Sequence, residues 1–178
     1  MRKILLFVLF TIILQADSSG HKGLNIAFGI GSGVMKTTYG LESNSDNQSA
    51  VFLTRIGTGI TNNTVFVFEA IGNYGSFNYT SFGKKDVSYN YDGVGMNYYF
   101  NEGDTTSYIG FSFGTADHES DPKSFVKSSG VFGNSYKLSA GYEYNRWLAE
   151  VNYIKASSEI IKTDSVIFAI GYNFALLR

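Results

Sequence analysis

The chain has 178 residues, a formal net charge of −1, and 16% charged against 44% apolar and 16% aromatic residues, where a soluble globular domain carries about 25% charge. Near-neutrality excludes a bulk electrostatic nucleic-acid binder. The absence of cysteine excludes a disulfide framework, a thiolate metal site, a cysteine nucleophile and a lipidated cysteine.

Met1-Arg2-Lys3, the apolar run Ile4 to Leu14 and the stretch Gln15-Ala16-Asp17-Ser18 have the three parts of a secretory signal peptide. The run is too short to span a bilayer as a helix, which takes about 20 residues. Cleavage after Ala16 defines a signal peptide, 1–16, and one exported domain, 17–178, with 12 basic against 15 acidic residues. The alternative, a buried N-terminal helix, has no helical pattern downstream to pack on.

From Lys22 onward the period is two. The large side chains of the first segment are Leu24, Ile26, Phe28 and Ile30, alternating with Asn25, Ala27, Gly29 and Gly31. Further segments follow with Phe52 to Ile60, Phe66 to Tyr74, Val94 to Phe100, Ile109 to Thr115, Tyr136 to Tyr144, Trp147 to Tyr153 and Val166 to Phe174 on the greasy face. Eight strands result. The opposite face is mostly Gly, Ser, Asn and Ala, with single charges at Arg55, Glu69, Lys137, Glu143 and Glu150. Such a set makes a poor solvent face for a soluble sandwich or lipocalin. It suits the interior of an eight-stranded barrel, which has just enough room for side chains to fill. The greasy face then meets lipid, with Tyr74, Tyr98, Tyr144, Trp147, Tyr153 and Tyr172 near strand ends as aromatic girdles.

Connections alternate in length. Thr61-Asn62-Asn63, Asn101-Glu102-Gly103-Asp104 and Asn145-Arg146 are tight turns. Four longer polar connections are expected at about Lys36–Ser49, Ser76–Asp86, Asp117–Gly130 and Ala156–Asp164. Long loops on one rim and short turns on the other is the asymmetry of bacterial outer-membrane barrels, with the long loops outside the cell.

The signal peptide, eight alternating segments, three tight turns and last strand Val166 to Phe174 resemble the small eight-stranded outer-membrane proteins of the OmpX and OmpA-barrel type. That resemblance implies an all-β, antiparallel, up-and-down transmembrane barrel. It also implies Sec-type export to the outer membrane, lipid as the surrounding partner and assembly by the barrel-insertion machinery. Members of that group commonly end on an aromatic residue, whereas here Ala175-Leu176-Leu177-Arg178 follow Phe174.

Candidate chemistry is sparse. Gly29, Gly31 and Gly33 form a G-x-G-x-G string with no helix after it, and read as lumen packing rather than a dinucleotide loop. His21 has no neighbouring ligand and the methionines are isolated, so neither a metal site nor a cofactor is implied. Asp117-His118-Glu119-Ser120 resembles the His-x-Ser pair of outer-membrane lipid A deacylases, which implies Ser120 as nucleophile, His118 as base and Glu119 or Asp117 as the orienting acid. The following Asp121-Pro122 reads instead as an ordinary polar loop. Arg55, Glu69, Lys137, Glu143 and Glu150 form either a paired network that plugs the lumen or a gated ion path. The leading expectation is a non-enzymatic structural or surface-display barrel, adhesin-like or envelope-stabilising, whose four outer loops meet an extracellular ligand. Passage of small solutes or ions, or binding of a lipid-type ligand, in the barrel is the first alternative, and the lipid A deacylase the second.

Overall fold

The computed structural model describes residues 21, 23–39, 42–79, 83–103, 105–120, 133–157 and 161–175. Residues 1–16, read above as the signal peptide, lie outside them. The strands are β1 (Gly23–Tyr39), β2 (Glu42–Gly59), β3 (Thr64–Tyr79), β4 (Gly83–Tyr99), β5 (Thr105–Ser120), β6 (Gly133–Tyr144), β7 (Trp147–Ser157) and β8 (Ile161–Ala175). Each pairs antiparallel with the next, and β8 returns to β1, closing the barrel. Followed once around, the ladder runs Phe28, Thr54, Ala70, Asp92, Thr115, Asn134, Ser157, Lys162 and re-enters β1 at Thr38, ten residues beyond its start. Such a stagger tilts the strands by about 35–45° and leaves a bore that side chains fill.

The two faces separate cleanly. On β8, Val166, Phe168 and Ile170 point outward at 52%, 50% and 49% exposure, while Ser165, Ile167 and Ala169 between them are at 1% or less. The outward apolar run Val166 to Phe174 has about the 9–11 residues of a tilted membrane-crossing strand. Phe174 ends this wall against Phe28 and Tyr172.

The short turns are built by local chemistry. After β2, the Thr61 hydroxyl accepts from the backbone N–H of Asn63 and Thr64, a side-chain turn. Between β6 and β7, Asn145 and Arg146 have φ of 48° and 73°, the left-handed pair of a type I′ hairpin turn, whose twist matches that of the strands it joins.

The long connections differ from expectation. Residues assigned above to loops continue as paired strand: Lys36–Tyr39 and Glu42–Ser49, Ser76–Tyr79 and Gly83–Asp86, Asp117–Ser120, and Ile161–Asp164. Only residues 40–41, 80–82 and 158–160 remain between the strands at three of the four sites, and 121–132 at the fourth. At three of the four sites strands that outrun the apolar wall take the place of a long outer loop; 121–132 lie outside the described residues. The reason is physical: beyond that wall the sequence is mostly polar and its hydropathy no longer alternates, while the backbone ladder, which needs no particular side chain, goes on.

Closure of β8 on β1 depends on small residues at the seam. A Cβ on Gly31 would collide with the Phe168 carbonyl and the Ala169 backbone, whereas one on Gly72, on the outer wall, would meet only Asn90 Oδ1 at 3.5 Å. We expect Gly31→Ala to lower the unfolding free energy by about 1–3 kcal/mol, as overpacking does, and Gly72→Ala to leave it nearly unchanged. Urea unfolding in lipid vesicles measures both; equal effects would show that the seam is not tight at Gly31.

Candidate functional site: the filled lumen

The interior is stacked in three layers. At the short-turn end, Val65, Val67, Tyr99 and Tyr108 form an apolar cluster. The His21 ring stacks on Tyr99 at 3.6 Å, and its backbone N–H donates to the Asn62 carbonyl in the β2–β3 turn. Towards the other end a larger cluster, which includes Met35, Leu53, Ile71, Tyr89, Tyr91, Ile154 and Ile167, crosses the bore with almost no exposure.

Between these layers lie the charges. Arg55 on β2 stands directly across from Glu69 on β3, and its Nε and Nη2 both donate to Glu69 Oε2 at 3.3 Å. Nη2 also reaches across the lumen to Glu150 Oε2 on β7 at 2.5 Å. Lys137 on β6 donates to Glu69 Oε2 at 2.6 Å and lies 3.9 Å from Glu150 Oε1. Each carboxylate thus faces both cations, and the four charges sum to zero. Neutral donors complete the set: Ser112 Oγ donates to Glu69 Oε1 at 2.5 Å, Tyr108 Oη donates to Glu150, and Tyr91 Oη and Ser112 Oγ are 2.6 Å apart. All four charged side chains are at 6% exposure or less, so removal of any one strands its partners in a medium that solvates them poorly.

Glu143 does not join this quartet. It is buried nearer the short-turn end, accepts from Asn173 Nδ2 at 3.4 Å, and lines a cavity of about 20 Å³ beside Arg55, Tyr99 and Tyr108, room for about one water molecule. Tyr108, Ser112 and Tyr91 were not singled out from the sequence; their inward position on β4 and β5 was the available signal, but small polar and aromatic residues at such positions are otherwise simple packing.

The aromatic residues divide between the two ends of the outer wall. Tyr98, Tyr144, Trp147 and Tyr172 stand near the short turns, where Trp147 and Tyr172 meet edge to face at 5.3 Å. Tyr74 and Tyr153 stand towards the other end, and Tyr153 packs on Tyr136 and donates to Asp164 Oδ1 at 2.8 Å. His118 and Ser120 are not in a loop. Their backbones belong to β5, in register with Tyr89 and Val87 of β4; their side chains lie outside the described residues.

A closed eight-stranded antiparallel barrel with an apolar outer wall and a lumen filled by side chains is the architecture of the small outer-membrane barrels. Among solved structures the chain is similar to neisserial surface protein A (TM-score 0.59, 13% identity, 90% of this chain and 100% of that one). It is also similar to Ail, the attachment invasion locus protein of Yersinia pestis, solved with the heparin analogue sucrose octasulfate (0.56, 13%, 85% and 99%), and to the outer-membrane protein OprG of Pseudomonas aeruginosa (0.51, 12%, 87% and 98%). Neither a protein-family model nor a curated protein sequence matches the chain. What is shared is the fold.

The quartet predicts strong coupling. Arg55→Ala is expected to cost about 3–5 kcal/mol, the range for removing one partner of a buried pair. Arg55→Ala with Glu150→Ala keeps Lys137 on Glu69 and restores neutrality, so the double variant should fall short of the sum of the singles by about 0.5–3 kcal/mol. A double-mutant cycle from urea unfolding measures this, and additive costs would contradict the shared network.

Proposed function

We propose that the chain is exported by residues 1–16, inserted into the outer membrane by the barrel-insertion machinery, and acts there as a structural or surface-display protein whose working part is the end beyond the apolar wall. The observation that carries this reading is the contrast between the two ends of the molecule. The lumen is blocked by a charged layer between two apolar ones, while β1 to β5 continue past the wall as polar, paired strand. Residues spent on length beyond the hydrocarbon serve nothing inside the bore. Aromatic residues near both ends of the wall suit the two membrane–water boundaries.

A conducting path is the weaker reading. Breaking the quartet would open only the middle layer, and the cluster around Ile71, Tyr91 and Ile167 would still present a dry constriction. The projecting segments carry Glu42, Asp46, Asp86, Asp117 and Glu119 against Lys36, Lys84 and Lys85, a mixture that gives no basic face for a polyanion such as the one bound by Ail. An adhesin-like role would therefore engage a ligand that is not strongly anionic.

The deciding experiment compares a null strain with strains carrying the full protein or a form shortened to the partners Met35 and Asp46, and correspondingly on the other hairpins. Rescue of surface or envelope phenotypes by the full form alone is the expected outcome; rescue by the shortened form would place function in the barrel. In planar bilayers the protein should show no steady conductance, and sustained channels would support the ion path instead.

The lipid A deacylase reading is also testable. His118 lies five residues past Phe113, the last large apolar residue of the outward row on β5, about 16 Å along the strand and so beyond the acyl esters. His118→Ala and Ser120→Ala should leave lipid A mass profiles unchanged. Loss of one acyl chain on overexpression, abolished by either substitution, would make the protein an enzyme.

A further inference from the structure

The charges that border the outer wall are sorted by side. The outward apolar row of β8 ends at Val166, and the next outward positions are Asp164 and Lys162. Directly across from Asp164 stand Lys36 on β1, one step past Val34, and Lys155 on β7, one step past Tyr153. One carboxylate is thus ringed by three lysines, one on each neighbouring strand and one a repeat higher on its own. A strand spacing of about 4.8 Å and a two-residue repeat of about 6.7 Å keep the three backbones within about 10 Å of one another. Asp164 is already engaged, since it accepts from the Tyr153 hydroxyl at 2.8 Å and lies 3.9 Å from the Lys155 ammonium. Lys36 and Lys162 are exposed and, among the described residues, have no ion pair. Across the barrel, the first charges past the wall on β4 and β5 are the acids Asp92 and Asp117.

We propose that this sector of the rim binds one lipid A molecule of the outer leaflet, with the ammonium groups of Lys36, Lys155 and Lys162 on a phosphate and an acyl chain against Val34 and Val166. The inference rests on the membrane-spanning reading above, with the short turns inside, and goes beyond it. Each lysine is the first or second residue past the last large side chain of its outward row, which is the level of lipid headgroups. Tyr153 and Tyr136, which lies across from Lys155, mark the same boundary. A lysine at that level lays its methylenes along the apolar wall and lifts its ammonium to the headgroup. The sign of the charge selects the ligand. Three lysines against one acid leave an excess of two positive charges, the complement of a phosphate monoester, and the ammonium groups supply charge-assisted donors. Asp164, held by Tyr153, sits at the centre and offsets part of the repulsion among the three cations. Asp92 and Asp117 repel a second phosphate on the far side, so the stoichiometry is one. The sorting belongs to the wall's border, since the projecting ends above it carry both signs.

The test uses the full barrel extracted from membranes into mild detergent and supplied with bisphosphorylated lipid A or with lipid A stripped of both phosphates, with native mass spectrometry counting retained lipid. The expected result is one retained molecule of the phosphorylated form and none of the stripped form. Lys36→Gln, Lys155→Gln and Lys162→Gln should each weaken retention about fivefold, the scale of one basic residue at an anionic surface. Asp164→Asn, which removes the acid among the lysines and keeps the acceptor for Tyr153, should strengthen it. Lys84→Gln with Lys85→Gln, which removes charge from β4 well above the wall, should change nothing. Heat-dependent migration on gels checks that each variant is folded. Equal retention of the two lipids, or retention untouched by the three lysine variants, would overturn the proposal. So would displacement of the lipid by millimolar inorganic phosphate, because the lysines would then hold the free ion. A doubled mass that the lysine variants abolish would overturn it as well, since Asp92 and Asp117 of a second copy would then cover the sector. An unaltered chain that inserts into vesicles but retains no lipid A overturns the proposal alone, whereas one that fails to insert strikes the membrane-spanning reading with it.

Discussion

The ladder between β1 and β8 is the constraint from which the rest of the molecule follows. It pairs Asn25 with Ala175 at one end and Tyr39 with Ile161 at the other, and by closing the sheet it leaves no edge strand to satisfy elsewhere. With eight strands and a ten-residue stagger, closure also fixes the bore. Every inward residue must then be small, or apolar and interlocked, or paired with a partner across the lumen. Glycine at Gly31 and its neighbours on the seam is part of the same requirement, since the strands approach there more closely than a Cβ permits. The G-x-G-x-G string of β1 is thus explained by the packing of backbone on backbone.

Most of this was legible in the sequence because a barrel has only two faces. Once Phe28, Ile30, Phe52 and Phe168 are placed outward, parity places Arg55, Glu69, Lys137 and Glu150 inward, and the three-residue turn after Ile60 puts Arg55 across from Glu69. Parity says nothing about the third dimension. That Arg55 meets Glu150 from β7 and that Lys137 lies between both acids depends on the stagger of non-adjacent strands, a sum over several hairpins. Glu143 has the same inward parity and similar burial, yet it lies six residues beyond Lys137 on β6, three repeats of the pattern nearer the short-turn end.

The strand ends were not legible, for the opposite reason. Hydropathy alternates only where one side of the wall is dry. From Lys36 or Asp164 upward the sequence is mostly polar, and a stretch such as Glu42 to Ser49 has the composition of a loop although its backbone is paired with β1.

The order of the layers carries a mechanical argument of its own. A charged layer placed alone in a narrow tube would draw water and counter-ions from both ends, and its pairs would exchange with them. Here it lies between Val65, Val67 and Tyr99 on one side and Ile71, Tyr91 and Ile154 on the other, so among the described residues its members pair with one another and with the hydroxyls of Ser112 and Tyr108. The apolar layers keep the dielectric low, and the low dielectric makes the wrong pairing costly. Because the quartet draws on β2, β3, β6 and β7, it ties opposite walls together in one register. The strand ends above inherit that register through their backbone ladders, which lets β1 to β5 run past the wall as paired sheet where loops were expected.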